Sequence, residues 1–347
     1  MTFINAIVTE KAPYHYSTDA ITQAAGAWLA SSPMERALFK RLSASTQIEQ
    51  RAFAVPLQEL IGLAGPRERA KIFNEVGAAM LSKVIRGGID ASGLEPLDLH
   101  TLLMTSCSVP SIPSIDTLAI AEVGLSPAIL RVPIFQYGCA GGAIGLSLAQ
   151  RLSQRNGYTM LASVELCSLV HQPNDLQGGA IVGAAIFGDG AAAVVVSERP
   201  GPLEVVSCQS YLIPQTGELM GYAIHDDGPH LHLDREIPHA LLEAAPRCIS
   251  EFLGSLDLSS SDIKWWIFHP GGAKILSSLE GTFELRREQT KWAWDSLREN
   301  GNMSSASILY ALKSFVDERS YRPGDLVLML GIGPGLTLQV NLLRCHR

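Results

Sequence analysis

Paired cysteines, basic runs, nucleotide loops and long unbroken apolar stretches are all missing from this 347-residue chain. Its six cysteines (Cys107, Cys139, Cys167, Cys208, Cys248 and Cys345) are scattered with no Cys-x-x-Cys pair, so neither a zinc knuckle nor a disulfide framework is indicated. Charged residues make up only 18%, the formal net charge is −7, and no basic cluster offsets it, which argues against nucleic acid as a partner. No Gly-x-Gly-x-x-Gly or P-loop pattern offers a nucleotide cradle. The longest apolar region, Ala180 to Val196, is Gly-rich and interrupted by Asp189, so it does not read as a membrane span. Met1 to Ile7 lacks the basic and long apolar segments of a leader and reads as a strand. A cytoplasmic protein is expected.

What is present is core-forming material, 47% hydrophobic with 31 Gly and no linker-like stretch. The length exceeds a typical domain, so one fused, two-lobed globule is expected. Strand and helix patterns alternate, which implies an α/β layered fold. Leu99–Met104, Arg131–Tyr137, Thr159–Glu165, Ala191–Val196, Trp265–Phe268 and Leu326–Leu330 read as buried strands. Gly188-Asp189-Gly190 and Pro323-Gly324-Asp325 each turn into an apolar strand, and this faint echo suggests a duplicated lobe, with halves 1–199 and 200–347 meeting at Pro200-Gly201-Pro202.

Cys139 stands between the strand ending at Tyr137 and a helix-spaced apolar run from Ala143 to Leu152. A thiol at the first turn of a helix meets free backbone N–H groups and the positive dipole end, which favour a thiolate. Small neighbours in Gly138-Cys139-Ala140-Gly141-Gly142 leave room for a substrate. Buried inert cysteines are common, so the motif alone leaves both readings open.

A reactive cysteine needs a basic or cationic neighbour and a polar group to complement it. His269 follows the Trp265–Phe268 strand and precedes Pro270-Gly271-Gly272, where the backbone can come close to a ligand. Read alone, it is either such a neighbour or a strand-end histidine bonded to a carbonyl. Asn302, in Gly301-Asn302-Met303-Ser304, is either the N-cap of a helix over Ser305–Phe315 or an uncharged donor to an oxyanion. The run His225 to Asp234 holds three histidines and scattered aspartates, but without a recognised ligand spacing it carries no metal expectation.

Five motifs in order, Gly138-Cys139-Ala140-Gly141-Gly142, Phe187-Gly188-Asp189-Gly190, His269-Pro270-Gly271-Gly272, Gly301-Asn302-Met303-Ser304 and Gly331-Ile332-Gly333-Pro334-Gly335, resemble the type III polyketide synthases. These are the chalcone synthase relatives of the thiolase superfamily, and the resemblance runs from about Phe3 to Leu343. Cys139-Ala140-Gly141-Gly142-Ala143 and Val164-Glu165-Leu166-Cys167-Ser168-Leu169 are most similar to bacterial alkylresorcinol and alkylpyrone synthases.

The resemblance implies a homodimeric, five-layered αβαβα enzyme, an acyltransferase with coenzyme A thioesters as substrates and no tightly bound cofactor or metal. Cys139 matches the nucleophile that loads a starter acyl group, expected to be fatty acyl, and His269 and Asn302 match the pair that stabilises the thiolate and the enolate of malonyl-CoA. Phe187 matches an aromatic at the junction of cavity and coenzyme A tunnel. Thr105, Ser106, Cys107, Cys167, Val170, Tyr222, Leu231, Ser304 and Ile332 fall where the family lines its cavity or active-site wall. Ile332 replaces the usual Phe, Leu231 stands in place of a second plant Phe, and Tyr222 in place of Gly, so plant-type phenylpropanoid chemistry is not expected. Lys40, Arg41 and Arg51 match a region that supplies cations to coenzyme A phosphates. Rival readings are a single-condensation ketoacyl-carrier-protein synthase of the same fold and a silent acyl-CoA-binding scaffold.

Overall fold

The computed structural model describes residues 1–63, 65–173 and 175–346. The first half runs β1 (Thr2–Lys11), β2 (Tyr14–Ser17), α1 (Thr18–Trp28), α2 (Pro33–Ser45), β3 (Gln50–Phe53), α3 (Leu57–Gly62), α4 (Pro66–Ile72), α5 (Ala78–Ser92), β4 (Leu99–Thr105), α6 (Asp116–Val123), β5 (Leu130–Ile134), α7 (Gly141–Asn156), β6 (Tyr158–Leu166), α8 (Gly178–Ile186) and β7 (Asp189–Ser197). The second runs β8 (Leu203–Leu212), β9 (Met220–His225), β10 (Gly228–Leu233), α9 (Ile237–Gly254), β11 (Ile263–Phe268), α10 (Ala273–Thr282), α11 (Lys291–Asn300), α12 (Ser307–Glu318), β12 (Leu326–Gly333) and β13 (Thr337–Cys345).

Nine strands form one mixed sheet in the order β11-β12-β13-β8-β1-β7-β6-β4-β5. The two halves join where Thr2–Ile4 pairs with Leu203–Val205. Strand alternation sends side chains to two cores at once. In β6, Met160, Ala162 and Val164 pack with α5, while Leu161 packs with α7 and α12. In β12, Val327 and Met329 face α7 and α12, while Leu328, Leu330 and Ile332 face α9 and α10. The result is five layers: α5, the first half of the sheet, α7 with α12, the second half, then α9 with α10. This is the expected αβαβα fold.

The halves repeat one plan. β4 and β6 are parallel, followed by antiparallel β7 and β1; β11 and β12 are parallel, followed by antiparallel β13 and β8. The topology corrects the repeat read from the turns. The counterpart of β7 is β13 rather than β12, so Gly188-Asp189-Gly190 and Pro323-Gly324-Asp325 are not equivalent. What does correspond is α7 with α12, each entering the middle layer, one behind Cys139 and the other behind Asn302.

A second correction concerns β5, expected as a buried strand. It is the sheet's edge, hydrogen-bonded to β4 alone, with Leu130, Arg131 and Pro133 exposed. Pro133 has no N–H for a further neighbour, which suits an edge. No helix among the described residues is long and apolar enough to cross a membrane.

Candidate active site

Cys139 sits in a short 3-10 turn, Gly138–Ala140, that runs directly into α7. Two features fix the turn. Gly138 has φ +50°, and a Cβ there would lie 2.7 Å from the Pro334 ring, so only glycine satisfies both backbone and packing. On the facing strand, a Cβ at Gly333 would lie 2.7 Å from Ala140 Cβ. The glycine-rich loop Gly331–Gly335 is thus pressed against the cysteine turn. Ile332 does not share that contact, because alternation along β12 turns its side chain into the outer core. The expectation that Ile332 lines the site is corrected accordingly; Gly331 and Gly333 are the wall.

Asn302 is held from both flanks. Its N–H donates to Ile186 O (2.8 Å) and its carbonyl accepts from Gly188 N (3.0 Å), pairing it with Phe187. Its side-chain Oδ1 accepts from Ser304 N (2.9 Å) in a local turn; the helix N-cap expected of this asparagine is not made, because the 3-10 turn Ser304–Ala306 starts from Met303 and α12 from Ala306. Because the oxygen is occupied, the amide's orientation is set and Nδ2 points the other way, with one long bond to Gly271 O (3.3 Å). The turn and the donor are one arrangement. The side chains of Asn302 and Ser304 lower the pKa of the Cys139 thiol, against the larger rise caused by burial.

His269 ends β11, its N–H donating to Leu330 O (2.9 Å). The residue is 3% exposed, and neither ring nitrogen has a hydrogen-bond partner among the described residues. Buried polar atoms are almost always paired, so both ring nitrogens of this imidazole are left open to hydrogen bonding. Burial pulls its pKa down to about 3 and pushes the Cys139 thiol up to about 11. Each separate charge is costly here.

The lowered His269 pKa has a sign for stability. Above about pH 6.5 both states carry neutral imidazole; below it the unfolded chain takes a proton that the folded one refuses until about pH 3. Stability from this residue is therefore lost as pH falls through that window. Urea denaturation of His269→Gln should show a shallower acid limb than the parent between pH 6.5 and 4.

Behind the cysteine lies Glu165, a carboxylate inside the Val164–Leu169 motif to which no role was expected. It is fully buried, and its oxygens accept from Cys107 N (3.0 Å), Ser108 Oγ (2.5 Å), Ser106 Oγ (3.5 Å) and Ser305 Oγ. Burial raises its pKa, and the Ser108, Ser305 and Cys107 bonds oppose the rise. Glu165 thereby ties the end of β4 to the start of α12. The sequence offers no local signal for it, because Ser106, Ser108 and Ser305 reach Glu165 only through the fold. Glu165→Ala strands these donors and should cost about 3 kcal/mol in chemical denaturation, with Glu165→Gln less damaging.

The remaining residues fall into groups. Cys107 Sγ lies 3.1 Å from Ser304 Oγ and 3.6 Å from Glu165. Cys107, Cys167 and Tyr222 are close enough to Cys139 and Glu165 to be coupled electrostatically, and burial raises all three. Thr105 packs under Gly141, supporting the nucleophile turn rather than facing open space. Cys167, Val170, Phe187 and Leu231 instead line a partly open pocket. Its far wall is apolar: Ile21, Ala25 and Trp28 of α1, Phe39 of α2, Leu57 and Leu60 of α3. The pocket does not itself reach Cys139. Phe187 joins the two, its backbone paired with Asn302 and its ring in the pocket.

Arg51 is not a surface cation. It is 2% exposed, and its Nη1 donates to Ala184 O (2.8 Å) and Phe187 O (2.7 Å). Burial lowers its pKa to about 10 while Asp189 opposes the change, so it stays charged at neutral pH and braces the strand beside Phe187. Lys40 and Arg41 are exposed on α2 beside Phe39. Their spacing on a helix carried the signal for exposure; Arg51 lies on the short strand β3, whose inner face is covered.

Two family models match this chain: the chalcone and stilbene synthase N-terminal domain over residues 61–200 and the C-terminal domain over 204–346. The chain belongs to the chalcone and stilbene synthase family, the type III polyketide synthases. It is 32% identical over 352 residues to a 1,3,6,8-tetrahydroxynaphthalene synthase of Streptomyces peucetius subsp. caesius, covering 99% of this chain and 93% of that one. It is 30% identical to a phloroglucinol synthase of Pseudomonas fluorescens, covering 88% of each. The solved 1,3,6,8-tetrahydroxynaphthalene synthase of Streptomyces coelicolor superposes with TM-score 0.94 at 27% identity over 99% of both chains. This type III polyketide synthase is accordingly an acyltransferase that takes acyl-CoA and malonyl-CoA substrates. Its family membership also sets aside the ketoacyl-carrier-protein synthase and silent-scaffold readings.

Proposed function

We propose that this type III polyketide synthase takes a starter with a long apolar tail, of the fatty acyl-CoA kind, and converts it to an alkylpyrone or alkylresorcinol. The observation that supports this is the apolar pocket beyond Phe187. A reaction using malonyl units alone would leave the Trp28, Phe39, Leu57 and Leu60 wall unused, while an alkyl tail is favoured there by about 0.8 kcal/mol per buried CH₂.

In the proposed cycle the thiol proton passes to His269, and Cys139 Sγ attacks the starter's thioester carbonyl. A C–S bond forms, the bond to coenzyme A breaks, and the released coenzyme A thiolate takes up the His269 proton. Malonyl-CoA then loses CO₂, leaving an enolate whose oxygen is met by His269 and the Asn302 amide. Its carbon attacks the Cys139 thioester, so a C–C bond forms as the C–S bond breaks. The chain, now on coenzyme A, reloads on the freed cysteine. Lys40 and Arg41 are placed to meet coenzyme A phosphates; Arg51 serves Phe187. The nucleophile belongs to the half 1–199, and the His and Asn to 200–347.

We assign the homodimer contact to the β5 edge, where Ile112, Leu118, Leu130 and Tyr137 expose large apolar surfaces. A cytoplasmic location accords with the many free cysteines. A second reading, a polyhydroxyarene built from malonyl units only, is favoured by the names of the two curated relatives. Product mass spectrometry with malonyl-CoA and starters of increasing chain length separates the two. Long-chain products that shorten when Ala25→Trp fills the pocket support the alkyl reading; identical products with and without a starter support the other.

A further inference from the structure

The β9–β10 hairpin turn gathers polar groups that the proposed cycle does not use. His225, Asp227 and His230 each place one ligating atom within 4.8 Å of the other two. Their spacing carried no such message, because the hairpin, rather than a helix, makes them neighbours. His225 pairs with Gly228 across the turn, and the His225 and His230 rings stack with centroids 4.3 Å apart. His230 Nε2 lies 2.8 Å from Asp227 Oδ1, and His230 Nδ1 lies 2.8 Å from Asp175 Oδ2.

We propose that this turn is a binding site for a divalent transition-metal ion of the zinc class, held by His225, Asp227 and His230 Nε2, with Asp175 orienting His230 from behind. Two imidazoles and one carboxylate suit a borderline ion rather than Mg²⁺ or Ca²⁺, which take oxygen ligands. A histidine whose other nitrogen is held by a carboxylate is the usual form of a metal-bound imidazole. Asp175 is itself fixed in place, being 6% exposed with its second oxygen accepting from Gln177 N (3.0 Å). The ion takes the place of the proton now shared between His230 Nε2 and Asp227. A tetrahedral ion with bonds of about 2.0 Å needs its donors about 3.3 Å apart, which an inward shift of the exposed His225 ring supplies. Water fills the open position.

The site has a structural consequence. The hairpin pairs Leu231 with Tyr222, and Gln172 Nε2 donating to Pro229 O (3.2 Å) is among its ties to the body. An ion at the turn clamps the two strands that carry these residues.

The test uses the full chain, stripped with EDTA and titrated with Co²⁺ and Zn²⁺. One equivalent of Co²⁺ should give a tetrahedral visible spectrum without a sulfur-to-cobalt charge-transfer band, and Zn²⁺ should displace it. Zn²⁺ should also slow amide exchange over residues 220–233. His225→Ala and His230→Ala should each weaken binding at least about 100-fold, Asp175→Asn should weaken it about 10- to 100-fold, and His232→Ala on the same hairpin should leave it unchanged. All four variants are compared by circular dichroism, and His225 is exposed, so its replacement reports binding without unfolding. Binding that survives His225→Ala and His230→Ala, or that shows thiolate charge transfer from Cys107 or Cys139, overturns the proposal, as does no binding at micromolar metal.

Discussion

Cys139→Ala lowers product formation by about 10³-fold or more while the protein keeps its fold. The substitution removes one sulfur atom from a half-buried turn whose shape is set by Gly138, Gly333 and Pro334, so the loss is chemical. Cys107, close by, cannot take over. Burial and the neighbouring Glu165 carboxylate both raise its pKa well above the ordinary thiol range, and it has no helix start behind it. His269 and Asn302 are untouched by the change, so Cys139→Ala should still release CO₂ from malonyl-CoA without extending a chain. Radiolabelled CO₂ release beside product chromatography measures both. Equal loss of the two activities would contradict the division of labour.

Asn302→Ala should slow malonyl-CoA decarboxylation by about 10²- to 10³-fold, the scale for removing one oxyanion donor. Asn302→Asp discriminates between the two duties of this residue. Its carboxylate can still accept from Ser304 N, so the turn and the local fold remain. It no longer offers a hydrogen at the position of Nδ2, and it sets a negative charge against the developing enolate. Decarboxylation in Asn302→Asp should therefore be at least as slow as in Asn302→Ala, with thermal stability nearer to the parent. A residue that served only to hold the turn would show the reverse, with Asp active and Ala impaired.

Much of this was legible in the sequence because it rests on local rules. The strand before His269, the helix behind Cys139 and the strand after Gly190 follow from short apolar runs beside turn residues and from helical spacing, and all three are formed. What eluded reading depends on which face a residue takes or on residues far apart in the chain. Ile332 stands between two glycines of the active-site wall, yet strand alternation turns it outward. Arg51 carries a charge in a polar segment, yet its guanidinium is buried and spent on two carbonyls at the end of α8. β5 is apolar enough for a core strand, but sheet order leaves it at the edge. Glu165 gains its role from serines at 106, 108 and 305, and the metal-ligand set at 225, 227 and 230 exists only once the hairpin closes. Cys139, His269 and Asn302 were readable as three separate candidates; that α7 and α12 carry the segments of Cys139 and Asn302 into one middle layer was not.

The central claim, that Cys139 is the loading nucleophile for an apolar acyl starter, is tested most directly by the intact mass of the protein after incubation with a long-chain acyl-CoA. The account predicts a single acyl adduct that maps to Cys139, is absent in Cys139→Ala and is discharged by malonyl-CoA. An adduct on Cys107 or Cys167, or acylation by malonyl-CoA alone with none from the long-chain thioester, would contradict it.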